Sequence, residues 1–261
     1  WLVRHNGRIS MQLSSLDHQE TASGVVWRGL TERVYPNIAN RTPYFALKRC
    51  IDIAGAAVLI IVLSPVLIAI AIVLKLETSG PVIFVQQRVG SRRCHRGGKV
   101  VWQIRNFPFY KFRSMYTDAD QTLHAAYIRA FVRDQAEKSP DSEACFKLAN
   151  DRRITRVGRI LRKTSLDELP QLINVLKGEM SLVGPRPVPE YEVAEYKPHH
   201  WKRLAALPGI TGLWQVRGRG QVCFEEMIQM DLEYVRTQSF WLDLKILLLT
   251  IPAVLLGKGA R

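Results

Sequence analysis

Two adjacent carboxylates, Asp167 and Glu168, are the residues of this 261-residue chain best placed to do chemistry. They open an apolar repeat of Leu169, Leu172, Ile173 and Leu176, whose i, i+3, i+4, i+7 spacing predicts one buried helix face. Six basic residues, Arg152, Arg153, Arg156, Arg159, Arg162 and Lys163, stand just upstream, and a turn-rich Gly184-Pro185-Arg186-Pro187 closes the unit. Carboxylates at the positive end of a helix, beside many cations, suit chemistry on a phosphate-bearing substrate. A plainer reading also fits: Ser165 and Glu168 match the S-x-x-E capping box, and Asp is common at helix starts. The two readings are compatible. Dipole and arginines favour the ionised carboxylate, which serves as cap, nucleophile or metal ligand alike.

The charge balance narrows the partners. Thirty-seven Lys and Arg against 23 Asp and Glu give a net charge of +14 and favour nucleic acid, an anionic membrane surface or a phosphorylated substrate. Cys50, Cys94, Cys145 and Cys223 are far apart with no C-x-x-C pair, so neither a disulfide framework nor a zinc site is indicated and the soluble part reads as cytosolic. No Walker loop and no G-x-G-x-x-G opening a helix is found, which argues against those nucleotide sites.

The elements that must position the carboxylates begin with residues 53–74, which are 22 consecutive residues without a charge. As a straight helix they reach about 33 Å, against a bilayer core of about 30 Å. Ser64-Pro65 interrupts the middle. Proline removes a helical hydrogen bond and kinks the helix there, and Ser64 can bond back to the freed carbonyl. Cations flank both ends, with Lys48 and Arg49 before the run and Lys75, Arg88, Arg92 and Arg93 after it. A single crossing puts one basic flank on the far side, against the positive-inside tendency. A helix that bends at Ser64-Pro65 and returns to the same face is therefore favoured slightly over a kinked transmembrane span. Residues 1–45 are mixed in composition and read as a linker or the remnant of an upstream domain. The chain starts at Trp1 rather than Met, so further sequence upstream is expected.

Residues 75–113 carry nine Lys or Arg against one acid, Glu77. Val82–Val85 and Lys99–Ile104 read as strands joined by a Gly/Arg-rich turn, a basic hairpin suited to anionic headgroups. Lys111 and Arg113 alternate with Phe112, so strand geometry would put both cations on one side and the ring on the other. A solvated basic edge is the alternative. Residues 119–138 read as a surface helix with Leu123, Tyr127 and Phe131 on one stripe, Glu190–Tyr196 as an acidic helix, and Pro208–Val216 as a turn entering a short strand. Arg217-Gly218-Arg219-Gly220 presents arginine on flexible backbone and suits RNA or phosphate equally. Near the C-terminus the uncharged stretch Ile246–Leu256 is only 11 residues, too short to span. Trp241 and Lys245 beside it suggest a helix lying in the membrane surface, with a buried core helix as competitor.

Taken in order, Lys48–Asp52, Gln86–Gly90, Lys111–Met115, Asp151–Thr155, Ser165–Gln171, Gly178–Pro187 and Pro208–Gln215 closely resemble the catalytic unit of the bacterial monotopic phosphoglycosyl transferases, over about residues 46–260. The resemblance implies an α/β, mainly helical, membrane-associated catalytic domain over 46–261, with a re-entrant membrane helix over about 50–76 broken at Ser64 and Pro65, and interfacial amphipathic helices. It implies transfer of a sugar 1-phosphate from a UDP-sugar to undecaprenyl phosphate, with release of UMP, in a surface-glycan pathway. By the same resemblance Asp167 is the nucleophile, forming an aspartyl-phosphosugar, and Glu168 is associated with Mg²⁺. Arg186 is implied in nucleotide binding, with Lys111, Arg113, Arg152 and Arg219 as supporting cations. The expected setting is the cytoplasmic face of a bacterial inner membrane, without nucleic acid. The identity of the sugar and the oligomeric state, a homo-oligomer included, stay open. Two competitors remain: a non-catalytic basic membrane adaptor, and an RNA-binding protein, which leaves residues 53–74 without a purpose.

Overall fold

The uncharged run forms the middle of one long helix, α1, from Thr42 to Glu77. The structure is a computed structural model, and it describes residues 34–36, 42–96, 99–117, 122–133, 151–218 and 222–255. Pro65 lies inside α1 and has no N–H to offer the carbonyl of Ile61; the Ser64 hydroxyl donates to that oxygen instead, at 2.8 Å. The repair expected of Ser64 is therefore present. One face of α1 runs against the protein, with Asp52, Ala56, Ile70 and Leu74 buried and Ile60 and Leu67 partly covered. The other face exposes Val58, Ile61, Val62, Ile68, Ile72 and Leu76. So large a contiguous apolar surface marks an interaction site. α1 is also long and apolar enough to cross a membrane, which is consistent with membrane association of the chain.

The basic segment folds as the expected hairpin and is longer than predicted. Strands β2 (Ile83–Arg96) and β3 (Lys99–Phe112) pair antiparallel from Ile83↔Phe112 to Arg96↔Lys99, and a short β1 (Val34–Pro36) pairs with the other edge of β3. Residues 1–33 lie outside the described residues. The hairpin feeds two apolar cores. Val89 and Ile104 enter one with side chains of α2 (Thr122–Val132), α5 (Glu190–Val193) and α7 (Phe224–Thr237). Trp102, Phe107 and Phe109 enter the other with Ala56 of α1, Leu172 and Val175 of α4 (Gln171–Lys177), and Ile246 of α8 (Phe240–Leu255). A third, small cluster joins Ile70 and Leu74 to Phe112 and to Leu161 of α3 (Arg156–Thr164).

Two sequence expectations are corrected. The repeat after Glu168 is not one buried face: Leu172 is buried, but Ile173 and Leu176 are 43% and 38% exposed. α4 is only seven residues long, so its apolar positions divide between the core and the outer surface. Pro208–Val216 contains β5 (Gly209–Thr211), which pairs parallel with β4 (Ser181–Val183), and then turns at once into helix α6 (Leu213–Arg217). Gly184 and Gly209 allow this crossing. A Cβ on Gly209 would sit 2.0 Å from the Gly184 nitrogen, so the backbones touch where side chains would normally stand. α8 exposes Trp241, Leu248 and Ile251 while burying Asp243 and Ile246, so it is not a wholly buried core helix.

Lys111 and Arg113 part company at the end of β3. Arg113 is buried and turns to the C-terminus of α1, donating to the carbonyls of Leu74, Thr78 and Ser79 and to the Thr78 hydroxyl. The last carbonyls of a helix have no partner within it, and a guanidinium fork satisfies several at once. Replacing Arg113 by Met should cost about 2 kcal/mol, because it removes the charged hydrogen bonds to the Leu74, Thr78 and Ser79 carbonyls. A fall in the melting temperature of the detergent-solubilised chain reads this out, and an unchanged melting curve would remove Arg113 as the cap of α1.

Candidate functional site

Asp167 and Glu168 occupy a single 3-10 turn, Leu166–Glu168, between α3 and α4. The chain reaches that turn through Ser165, which adopts φ 59°, a left-handed conformation that costs a β-carbon-bearing residue about 1–2 kcal/mol. Strain immediately before the dyad is the kind that persists where surrounding structure over-determines it. α3 is held firmly upstream, with the Thr155 hydroxyl capping it by accepting from Gly158 N–H at 2.9 Å. The capping box expected at Ser165 does not form. The Ser165 side chain makes no cap bond, and the Glu168 carboxylate turns to cations instead.

Arg186 grips Glu168 with both terminal nitrogens, Nη1 to Oε2 at 3.0 Å and Nη2 to Oε1. Lys111 Nζ lies 3.4 Å from Glu168 Oε1 and 3.9 Å from Asp167 Oδ2. Lys111 and Arg88 both lie over the Phe109 ring, at 5.4 and 5.0 Å from its centroid. Arg88 is anchored through the carbonyl of Pro187 at 2.9 Å. Three cations thus surround two carboxylates, leaving positive charge in excess. The crowding registers on Arg88, whose guanidinium is pulled down to about 10 by burial and by Arg186 beside it. Asp167 is 6% exposed. Burial pushes its carboxyl above the ordinary range, Lys111, Arg162 and Arg186 oppose the rise, and Glu168 adds to it. Lys111 is lowered by burial, against the pull of both acids.

Of the residues singled out in the sequence, Asp167, Glu168, Lys111 and Arg186 are brought together. Arg113 is not, being committed to α1; Arg152 is exposed at a turn before α3; and Arg219 lies outside the described residues. Ser64 and Pro65 sit in the middle of α1. Sequence reasoning missed Arg88, although it stands inside the quoted Gln86–Gly90 block; only the hairpin register carries it to the Phe109 ring. It also missed Arg203, which is buried against Asp231 at 2.6 Å and Tyr196 and donates to the carbonyl of Arg186 at 3.1 Å. That contact fixes the backbone from which the Glu168 clamp projects.

Two places merit a metal test. Asp167 and Glu168 offer adjacent hard carboxylate oxygens, the donor type Mg²⁺ prefers, and both Glu168 oxygens are held by Arg186, so an ion there would have to displace that clamp. His199, His200 and Glu225 also converge, with 3.0 and 3.1 Å from the two Nε2 atoms to Glu225. There His200 Nδ1 accepts from the Lys197 N–H at 3.1 Å, so the proton of the neutral ring sits on Nε2 and points at the carboxylate. A metal-bound histidine needs the reverse arrangement, and the trio is a hydrogen-bonded cluster. A buried carboxylate backed by lysine and arginine can act as a nucleophile toward phosphorus, with the remaining cations drawing in a phosphate-bearing substrate.

Known sugar transferases share much of this chain's sequence. The model of a family described as bacterial sugar transferase matches residues 43–257. The chain is 43% identical over 216 residues to the galactosyl transferase CpsE of Streptococcus agalactiae, covering 82% of this chain and 43% of that one. It is 42% identical over 228 residues to the undecaprenyl-phosphate galactose phosphotransferase of Salmonella typhimurium, covering 87% and 44%. It is 39% identical over 213 residues to the exopolysaccharide production protein ExoY of Rhizobium meliloti, covering 82% and 87%. The chain therefore spans somewhat less than half of the first two relatives and most of the third.

The raised Asp167 carboxyl has a stability consequence. A folded-state pKa above the unfolded one means that stability is greatest at low pH and is lost as pH rises through the folded value. Ionising Asp167 therefore costs stability, and Asp167→Asn should raise the melting temperature by about 2–4 °C. A fall in melting temperature would mean that the Asp167 charge holds the turn together rather than straining it.

Proposed function

Because this chain belongs to the bacterial sugar transferase family, we propose that it transfers a sugar 1-phosphate from a UDP-sugar to undecaprenyl phosphate, releasing UMP. The observation that carries the reading is Asp167, buried beside Lys111 with its partner Glu168 clamped by Arg186. In the first step an Asp167 oxygen attacks the β-phosphorus; the new P–O bond forms as the bond from that phosphorus to the bridging oxygen breaks, and UMP leaves with the bridging oxygen. In the second, an oxygen of the lipid phosphate attacks the same phosphorus, and the Asp167 carboxylate is released. Splitting one transfer into two displacements lets two substrates from different phases react in turn at one carboxylate.

Lys111 neutralises the attacking carboxylate's surroundings and keeps it ionised despite its burial. Arg186 and Arg88 stand where a diphosphate would bring negative charge to an over-cationic site. Mg²⁺ held by Glu168 would supply further positive charge against the diphosphate. Relatives are named for galactose, for glucose and for N-acetylgalactosamine, so a hexose 1-phosphate is proposed as the transferred group.

Same-face return of α1 belongs to this reading. Near its N-terminal end Lys48 donates to the carbonyl of Val183 at 2.9 Å, and Asp52 accepts from the Leu182 N–H at 2.9 Å. At the C-terminal end Glu77 accepts from the Val157 N–H at 2.9 Å. A helix crossing a bilayer core of about 30 Å would carry one of these ends to the far side, whereas both ends are held by one body of structure. These contacts support a bend at Ser64-Pro65; a cytoplasmic catalytic face at the inner membrane is proposed with it.

The test is UMP release from a panel of UDP-sugars with undecaprenyl phosphate and Mg²⁺. Asp167→Asn should reduce turnover by about 10⁴-fold or more, and EDTA should abolish it. Undiminished turnover by that variant would remove Asp167 as nucleophile. The attack needs an ionised carboxylate, so kcat/KM should fall as pH drops through a value above the usual carboxylate range. Lys111→Gln removes the main opposing charge, and the acid limb should then move to higher pH, with kcat/KM down about 10²-fold. An acid limb that stays in place would uncouple Lys111 from Asp167.

A further inference from the structure

α3 carries a second set of cations that the reaction does not use. Arg156, Arg159 and Lys163 are exposed, and none enters an ion pair among the described residues, whereas Arg162 on the inner side faces the field of Asp167. No acidic residue stands in α3 to balance them. Among these three cations Ile160 projects with 62% of its surface exposed. On a helix, 156, 159, 160 and 163 share one face, so the apolar side chain is framed by positive charge.

The position of that face narrows its occupant. The first turn of α3 is tied to the last turn of α1 through the Val157 N–H and Glu77, and Leu161 packs on Ile70 and Leu74. α3 therefore starts where the membrane helix ends. Its exposed cations thus start beside the end of the apolar helix, and lysines and arginines at that height meet phosphate headgroups. An isolated Ile framed by cations is the pattern of a helix lying at the headgroup–acyl boundary.

We propose that the outer face of α3 is a docking surface for anionic phospholipid, with Ile160 seated at the acyl boundary and Arg156, Arg159 and Lys163 on lipid phosphates. The proposal rests on the membrane association of α1 and is independent of the sugar chemistry. Its consequence is an anionic-lipid dependence of the height at which the Asp167 turn is held.

The test uses the full chain with Ile160→Trp, reconstituted in vesicles of phosphatidylcholine alone or with about one-third phosphatidylglycerol, the acyl chains brominated in both. Emission of the introduced indole is obtained by difference from the same chain carrying Ile160 unchanged, which corrects for the native tryptophans. Quenching should be at least twofold stronger with phosphatidylglycerol. It should weaken to the neutral-lipid level with Arg156→Gln, Arg159→Gln and Lys163→Gln combined, or in about 1 M salt. Equal quenching in both vesicles, or none in either, would overturn the proposal. So would displacement of α3 from the vesicle by poly(A), which would assign the face to a nucleic acid. Melting temperature of the triple variant separates loss of docking from loss of fold, and UMP release is not read at all, so a failure of the catalytic reading leaves the result intact.

Discussion

Asp167 is buried among cations, and the fold is arranged around the conflict between desolvating that carboxylate and surrounding it with positive charge. Desolvation alone drives Asp167 toward its neutral form. Lys111 arrives from the end of a 14-residue strand, Arg186 from the loop after β4, and Arg88 from the middle of β2. Each is fixed by something other than the acid: Lys111 and Arg88 by the Phe109 ring, Arg88 also by the Pro187 carbonyl, and Arg186 by Arg203 beneath its backbone. The charges are thus held in place before any substrate enters, which is what electrostatic preorganisation requires.

The same residues explain why the dyad is not a helix cap. A capping glutamate spends its carboxylate on backbone N–H groups, and Glu168 spends both of its oxygens on Arg186. The strained Ser165 makes this arrangement available by turning the chain between α3 and α4, so the carboxylates leave the axis of either helix. Local sequence rules favour the cap, and the tertiary charges override them.

What could be read in advance follows from how local each cause is. The long apolar run, its Ser64-Pro65 repair and the basic hairpin depend on neighbouring residues, and composition and spacing were enough to find them. Asp167, Glu168 and Arg186 were legible because they sit within one short block. Arg88 and Arg203 were not, because their roles come from strand register and from a buried partner 28 residues away, Asp231. Arg113 misled for the opposite reason. Alternation on a strand predicts a shared face with Lys111, but β3 ends at Phe112, and the unpaired carbonyls of α1 form a stronger sink for a guanidinium than open water does. The split of Leu172 from Ile173 and Leu176 was hidden because a periodic pattern does not say whether its apolar face meets protein or lipid.

The depth of the site is set mechanically. Glu77, the last residue of α1, binds the Val157 N–H, and α3 then runs for nine residues, about 14 Å, to the turn that carries Asp167. β3 supplies Lys111 to the same turn, while the Arg113 that follows it is locked to the same end of α1. Two separate elements therefore place Asp167 relative to one reference point, the end of the apolar helix. Asp167 and Lys111, 3.9 Å apart, are thus both referred to the same end of α1. That is the property a site needs if one substrate comes from water and the other is confined to the lipid surface.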